Sequence, residues 1–490
     1  MPKENNNIEE ILVNVHDKDN LYICIKDAAD FKVGKKYALK DIKEGDKIFK
    51  LGNQIGNALE DINIFEELNE FNVGISNADS YDFELQGISF ENENDLESSF
   101  YGYDNGTYGV ATRKCLLVIS LVSCANSAVR IIEEELNHID AIKNGDIEVI
   151  PIIHSNGCGH NGQDLNLEVL QRLIEGYILN PNCFGAVIIG LGCESNNFLE
   201  SSDSLKKVIY RNTIQNFSSF QELSKNVIDE VSTKLDAIQS IKRKKFGLDN
   251  LKVALQCGGS DGLSGITANP VLGGAIDLLI NNNGSAILSE TPETFGAHAN
   301  FINRIPNDSN RKKFMKIVDR WDQGLNLINI ENNPSIGNKE GGLSNIYEKS
   351  LGAVQKGGSS KIQEILEFGE KSSISTGLTF MDSPGYDPCS LTGQIASGAN
   401  MICFTTGRGS SYDNSFVPVI KISSNRGMFE RMSMFMDFDA SAVLKSSSYR
   451  EISRDLYSEI LNYASGKPTI NENETIKTSE FIPWNRGGMV

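Results

Sequence analysis

Between residues 115 and 213, unbroken apolar runs take turns with stretches of helical period, and this alternation restricts the possible folds more than any other feature of the chain. CLLVISLVSC has the character of a strand buried on both faces, and SAVRIIEEEL after it carries apolar residues at helical spacing. DIEVIPIIH predicts a strand, NLEVLQRLIEGYIL a helix and FGAVIIGLGC a strand; the segment from VIYRNT to TKLDAIQSIKRKK predicts a shorter strand with a long helix. Strands separated by helices predict an α/β unit with a mainly parallel sheet, whose loops at the strand carboxyl ends are available for chemistry. From Leu251 a second α/β pattern begins, in LKVALQC, GGAIDLLINNNG and SAILSE, and later in GLTFMDSPG and NMICFTTGRG.

The region from Ile11 to about Val73 reads differently. LVNV, LYICI, KYAL and KIFKL are short β-rich runs broken by Lys-Asp, Gly-Asp and Gly-Asn turns, which predicts a small β domain. Glu91, Glu93, Asp95 and Glu97 give the stretch from Ser76 to Ser99 the composition of a solvated linker. The expected fold class is multidomain α/β. A β domain is expected over residues 1–75, a linker over 76–98, a middle α/β domain over 99–245 and a C-terminal α/β domain over 246–490; a 490-residue chain exceeds what one core organises. The basic cluster Lys242 to Lys245 reads as a solvated surface or connection, because it is short and has no interleaved aromatics.

With 40% apolar and 23% charged residues, the composition is that of a globular chain, and no apolar run reaches membrane-spanning length. The segment from Met1 to Glu10 has no apolar core of a secretory signal, so the expected location is the cytoplasm. Nine scattered cysteines do not resemble a secreted disulfide framework and are expected to be reduced. A formal charge of −19 repels phosphate backbones and anionic lipid, which argues against nucleic acid and membrane as partners. An anionic small molecule would need a locally basic pocket. A homo-oligomer is left open.

Several motifs could carry chemistry, and each has a structural alternative. His154-Ser-Asn-Gly-Cys158-Gly-His160 follows a buried strand; its imidazoles and thiol suit a first-row metal or acid/base work, or His154 is a satisfied core histidine and Cys158 a small hydrophobe. Gly190-Leu-Gly-Cys193-Glu194 sets a carboxylate beside a thiol, or is a tight turn with a capping glutamate. The loop from Cys257 to Pro270, with Ser260, Asp261, Ser264, Thr267 and Asn269, is glycine-rich enough for backbone N–H groups to approach an anion. Glu290 and Glu293 share a side if a helix starts at Thr291 to Pro292, and could cap it or hold a divalent cation; His298 follows. Asn333 to Gly342 (with Asn338 and Lys339), Glu348-Lys349 and Lys356-Gly-Gly set lysines beside glycine turns, and Asp382-Ser-Pro-Gly-Tyr-Asp387 precedes Thr405-Thr406-Gly407-Arg408, whose arginine suits a carboxylate clamp or an ion pair. None of the glycine loops has dinucleotide or phosphate-loop spacing, which disfavours a nucleotide-binding enzyme.

In order, these segments resemble the altronate/galactarate dehydratase family, closest to its altronate branch. The blocks GAVIIGLGCESN, LQCGGSDGLSGITANPVLGGAIDLLINNNGSAILSETPETFGA, NPSIGNKEGGLSNIYEKSLGAVQKGGSS and ANMICFTTGRGSSYDNSFVPVIKISSN carry the likeness. The resemblance implies an N-terminal SAF-like β-clip domain followed by two catalytic α/β domains. It also implies removal of water from a sugar acid to give a 2-keto-3-deoxy acid, and dependence on a divalent metal, iron first with manganese or magnesium as alternatives. The family pattern falls on His154, Cys158, Cys193, Glu194, Cys257, Asp261, Glu290, Lys339 and Arg408. The roles expected are acid/base for His154 or His16, and carboxylate binding for Lys339 and Arg408. Ser260, Asp261, Thr267, Asn269, Asn338 and Thr406 are expected to hold the sugar acid, and Cys158, Cys193, Glu194, Cys257, Asp261 and Glu290 to surround the metal. The chain departs from the family at Lys35, at Asn69 to Asn72 and at Lys114, and His298 stands where the altronate branch has glutamate. These departures make a non-catalytic sugar-acid binder the competing expectation.

Overall fold

A computed structural model describes residues 8–75, 96–159, 164–195, 202–328, 334–445, 448–474 and 480–485. His160, Asn333 and most of the expected linker, residues 76–95, lie outside the described residues.

The middle part of the chain forms a four-stranded, wholly parallel sheet. Its strands are β1 (Lys114–Ser120), β2 (Ile147–Ile152), β3 (Cys183–Gly190) and β4 (Val208–Thr213), in the order β2-β1-β3-β4. Every residue of β1 is buried, as its unbroken apolar run demands. Leu116 and Val118 pack on one face under α1 (Asn126–Asn137) and α3 (Phe220–Ser240); Cys115, Leu117 and Ile119 pack on the other with α2 (Leu165–Leu179). Successive side chains thus enter opposite cores, the period-2 signature of a strand covered on both sides.

The C-terminal part is a seven-stranded sheet, again parallel throughout. It comprises β5 (Lys252–Cys257), β6 (Ser285–Leu288), β7 (Ile362–Leu366), β8 (Gly377–Met381), β9 (Met401–Thr406), β10 (Val419–Ser423) and β11 (Phe438–Asp439), in the order β7-β8-β6-β5-β9-β10-β11. Helix α4 (Ala268–Asn281) lies with α7 (Tyr449–Ala464) on one face, where a capping box between Ser448 and Glu451 starts α7. Helix α6 (Asp387–Ala396) covers the other face, against α2 of the middle unit. In both sheets the chain leaves its first strand in one direction and later returns to that strand's other side. Such a switch opens a crevice at the strand carboxyl ends, between β1 and β3 and between β5 and β9.

The N-terminal strands form two small antiparallel sheets. One holds Leu12–Val13, Leu21–Cys24, Lys36–Ala38 and Glu67–Leu68, and the other Lys47–Lys50, Asn53–Ala58 and Val73–Gly74. They dock on the C-terminal unit through Lys36 and Lys50, whose ammonium groups reach the buried Glu348 carboxylate at 2.8 and 2.7 Å. Asn345 adds a hydrogen bond from Nδ2 to the Ile55 carbonyl at 2.8 Å. The basic cluster continues into a strand: Arg243–Gly247 pairs antiparallel with Ser99–Asp104, leaving Lys244 and Lys245 exposed. All nine cysteines are free thiols, and no helix among the described residues is long and apolar enough to cross a membrane.

Candidate active site

Cys257 ends β5, Glu290 stands just past β6, and Glu293 lies on the short turn Thr291–Thr294 that Pro292 opens. These three side chains come from the carboxyl ends of adjacent strands and converge. Their ligand-type atoms all lie within 4.8 Å of one another, and all three residues are buried. Glu290 adopts the left-handed conformation with φ 69°, which costs a non-glycine residue energy and concentrates at functional sites.

Two lysines complete the cluster. Lys356 Nζ lies 2.8 Å from Cys257 Sγ and 2.5 Å from Glu290 Oε2. Lys349, on α5 (Ile346–Ala353), pairs with Glu293 at 2.7 Å, and the Cys257 thiol donates to Glu293 Oε2 at 3.0 Å. Asp387, at the start of α6, accepts from Gln256 Nε2 at 3.1 Å and stands beside exposed Gly385 and Tyr386. A Cβ on Gly258 would lie 2.3 Å from Asp387 Oδ2, so this approach requires glycine.

Burial raises the Cys257 thiol well above its ordinary value, helped by Glu290 and Glu293. Burial also raises Glu290, and Glu293 adds to the effect. For Glu293 the same burial penalty is outweighed by Lys349 and Lys356, which lower it. Burial would lower the Lys356 ammonium, but Cys257, Glu290 and Glu293 reverse this and raise it. Asp387 is pushed up to about 6, mainly by burial. The cluster therefore sets two held ammonium groups beside a carboxylate of raised basicity.

The donor set suits a first-row divalent ion: one thiol and two carboxylates mix soft and hard ligands. Glu290 Oε1 is buried with no hydrogen-bond partner among the described residues, an orphan that a cation would satisfy.

The structure distributes the other residues singled out in the sequence. Ser260, Asp261, Thr267, Asn269, Asn338 and Thr406 lie around the glycine loop after β5, bonded to one another and to neighbouring turns. Asp261 Oδ1 accepts from the Ser264 backbone at 2.8 Å and from Ser424 Oγ at 2.9 Å, and Asn425 Nδ2 reaches its Oδ2 at 3.0 Å. Thr267 donates to the Ser424 carbonyl, Asn269 to that of Gly352, and Asn338 to that of Ser260. Thr406 Oγ1 accepts from the Gly409 backbone. Arg408 packs over Gly259 and pairs with exposed Glu340 at 2.8 Å, next to half-buried Lys339. His16 lies in the N-terminal unit against Gly52, accepting from the Lys18 backbone at 3.0 Å.

His154, Cys158, Cys193 and Glu194 form a separate group at the carboxyl edge of the middle sheet. His154 is buried, with Nε2 3.0 Å from the Ser120 carbonyl and Nδ1 accepting from the Asn156 backbone at 3.2 Å. Glu194 folds back to accept from the backbones of Leu191 and Gly192 at 3.2 and 2.7 Å, capping its own turn. Cys193 has the Cys158 thiol in hydrogen-bond contact and Cys124 beside it. Contacts through the 480–485 segment run from this edge toward the other cluster: Asn156 donates to Asn485, Trp484 stacks on Trp321, and Trp321 donates to Asp382, which also accepts from Thr291.

Glu293, Lys349, Lys356 and Asp387 lie in the motifs visible in the sequence but not among the residues that the sequence assigns to the site. Their shared signal was a charged side chain beside a Gly or Pro turn. The first-domain substitution Lys35 makes structural contacts, with Nζ 3.1 Å from Glu67 and 3.3 Å from the Lys339 carbonyl, and Lys114 pairs with Asp146 at 2.6 Å. His298 packs between Phe295 and Phe314, where burial lowers it to about 4.

Residues 102–242 match the family described as D-galactarate dehydratase/Altronate hydrolase, second domain, and residues 248–489 match D-galactarate/Altronate dehydratase, C-terminal. Altronate dehydratase of Bacillus subtilis (strain 168) is 32% identical over 95% of this chain and 97% of its own length. Altronate dehydratase of Escherichia coli (strain K12) is 30% identical over the same shares, and galactarate dehydratase (L-threo-forming) of that organism is 31% identical over 93% of each chain. The parallel sheets, the sites at their carboxyl edges and these full-length matches together make the chain a member of the D-galactarate/altronate dehydratase family of hydro-lyases.

Proposed function

We propose that this chain removes water from a sugar acid, an aldonate such as altronate, to give a 2-keto-3-deoxy acid. The observation that carries the reading is the convergence of Lys349, Lys356 and Asp387 with Cys257, Glu290 and Glu293 at the strand ends of one parallel sheet. In so acidic a chain, the buried Lys356 and the largely buried Lys349, each held by a glutamate, supply the cationic donors that a carboxylate substrate needs.

The elimination requires a proton to leave C2, a hydroxyl to leave C3, and stabilisation of the enediolate between them. Lys349, held by Glu293, orients the substrate carboxylate. Asp387 stands at the open side of the cluster, and its raised basicity suits it to take the C2 proton. The Lys356 ammonium gives its proton to the departing C3 hydroxyl, which leaves as water. The enol then takes a proton at C3 from solvent and releases its C2 hydroxyl proton to give the ketone, and proton exchange with solvent resets Asp387 and Lys356. Cys257, Glu290 and Glu293 would hold a divalent metal, iron first, which as a Lewis acid would polarise the substrate oxygens.

Anaerobic assay with added Fe(II) across altronate, galactarate and other aldonates and aldarates tests the reading, with 2-keto-3-deoxy acid as the readout. The preferred substrate identifies the branch. Stabilisation by a sugar acid without any product would favour the non-catalytic binder instead.

A further inference from the structure

We propose that Cys124, Cys158 and Cys193 hold an iron–sulfur cluster at the carboxyl edge of the middle sheet, with one iron left open to a non-protein ligand. The inference is independent of the proposed reaction and concerns a different site.

The cysteines sort by position. Cys24, Cys115, Cys183, Cys257, Cys389 and Cys403 are buried, whereas Cys124, Cys158 and Cys193 are exposed. An exposed free thiol is oxidisable and rarely retained without a use. The three exposed thiols fall on the loops that follow three adjacent parallel strands. Cys124 is in the turn Ser123–Ala125 after β1, Cys158 is in the loop after β2, and Cys193 is in the turn after β3. They occupy the crevice where the strand order reverses, and Cys193 has both other thiols as neighbours.

The loops are braced before any ligand arrives. The Ser123 backbone donates to the Asn156 carbonyl at 2.9 Å, which ties the Cys124 turn to the Cys158 loop. Asn126 Nδ2 donates to the His154 carbonyl at 2.9 Å, and His154 Nε2 contacts the Ser120 carbonyl, so this histidine positions the loop. Glu194 closes the Cys193 turn through the Leu191 and Gly192 backbones. A second observation points to a ligand: Asn156 Oδ1, in the same loop as Cys158, is buried without a hydrogen-bond partner among the described residues.

The spacing selects the ligand class. Three thiolates on one tetrahedral ion stand about 3.8 Å apart, given metal–sulfur bonds near 2.3 Å. Among the described residues, Cys257, Glu290 and Glu293 are the group whose ligand atoms all fall within 4.8 Å, and the three thiols do not form a second such group. Cys158 and Cys193 are in contact and Cys124 stands further off; a polynuclear iron–sulfur cluster, ligated at separate corners by cysteine thiolates, reaches all three once that contact opens to admit it. Three protein ligands leave one iron able to take an oxygen ligand.

The test is anaerobic reconstitution of the full chain with ferric iron, sulfide and dithiothreitol. We expect acid-labile sulfide with an equal amount of iron beyond the one ion that the Cys257 group would hold, the broad visible absorption of an iron–sulfur chromophore, and loss of sulfide and chromophore in C124S, C158S and C193S but not in C257S. Because a substitution could unfold the loop, peptide mapping of alkylated thiols supplies a second reading on the unmodified chain. Cys124, Cys158 and Cys193 should resist alkylation when loaded and react after chelation. Zinc without labile sulfide, a Cys158–Cys193 disulfide in the anaerobic protein, or a chromophore that survives in the triple serine variant would each overturn the proposal. None of these readouts depends on turnover.

Discussion

The Lys356 ammonium sits 2.8 Å from the Cys257 thiol while also touching Glu290, so one buried cation joins the end of β5 to the loop after β6. A neutral side chain there leaves two buried acidic groups uncompensated and removes the proposed proton donor. Lys356→Met is expected to lower kcat by about 10²–10⁴-fold, the usual range for an acid/base group. Steady-state kinetics on the preferred substrate, with circular dichroism to confirm folding, checks this.

Asp387 gives the reaction its acidic limb. Burial raises this carboxyl from its ordinary value to about 6, and it must be deprotonated to accept a proton. Activity is therefore expected to be present above about pH 6 and to be lost as pH falls through that value. Asp387→Asn should abolish turnover at every pH while substrate still binds. A pH profile of kcat/KM and a binding titration of the variant decide the point; a flat wild-type profile between pH 5 and pH 7, on the order of one unit either side of that value, would remove Asp387 as the base.

Glu348 anchors the N-terminal unit through Lys36 and Lys50. Burial would raise this carboxyl, but the two lysines outweigh it and lower it to about 2. A depressed carboxyl contributes stability above its unfolded value, which is lost as pH falls toward its folded value. Acid should therefore loosen this contact only between about pH 4.5 and about pH 2. Glu348→Gln should destabilise by about 3–5 kcal/mol, since it strands two buried ammonium groups. Thermal unfolding of wild type and variant across that window measures it.

Asp261 separates a bracing role from a binding one. Its carboxylate accepts from Ser264, Ser424 and Asn425 in one buried network. Asp261→Ala is expected to lower the thermal midpoint by several degrees, with kcat lost through the disordered glycine loop. If the residue binds substrate directly, KM will instead rise while the thermal midpoint stays at the wild-type value.

The strands were legible because their chemistry is local. SAIL and GLTFM coincide with β6 and β8, since apolar runs between turn residues leave no other packing, and VIYRNT coincides with the half-buried edge strand β4. CLLVISLVSC misleads at its end: β1 stops at Ser120, and Leu121 and Val122 continue into the two cores beyond it, which hides Cys124 within an apparent strand. Cys257 and Glu290 stand out beside their glycine and proline turns as site residues, whereas Lys349 and Lys356 show only as lysines beside glycine turns. Their importance lies in a contact with residues far away in the chain, which no local pattern encodes. His154 and Cys257 both follow buried strands, yet they belong to different sheets, so sequence order could not divide the predicted residues into two sites.

Metal removal offers a further check on the Cys257 cluster. Chelation is expected to abolish activity and Fe(II) to restore it, whereas Glu293→Gln should raise the Fe(II) concentration needed for half-activation by about 10–100-fold. Titration of chelated enzyme with Fe(II) provides the comparison.

Elimination by Lys356 and Asp387 is most directly tested by turnover in D2O with mass and NMR analysis of the product. The account predicts a 2-keto-3-deoxy acid with a single solvent deuteron at C3 from the wild-type chain, and none from Asp387→Asn. No product from any aldonate or aldarate, or product formed equally well by Asp387→Asn, would contradict it.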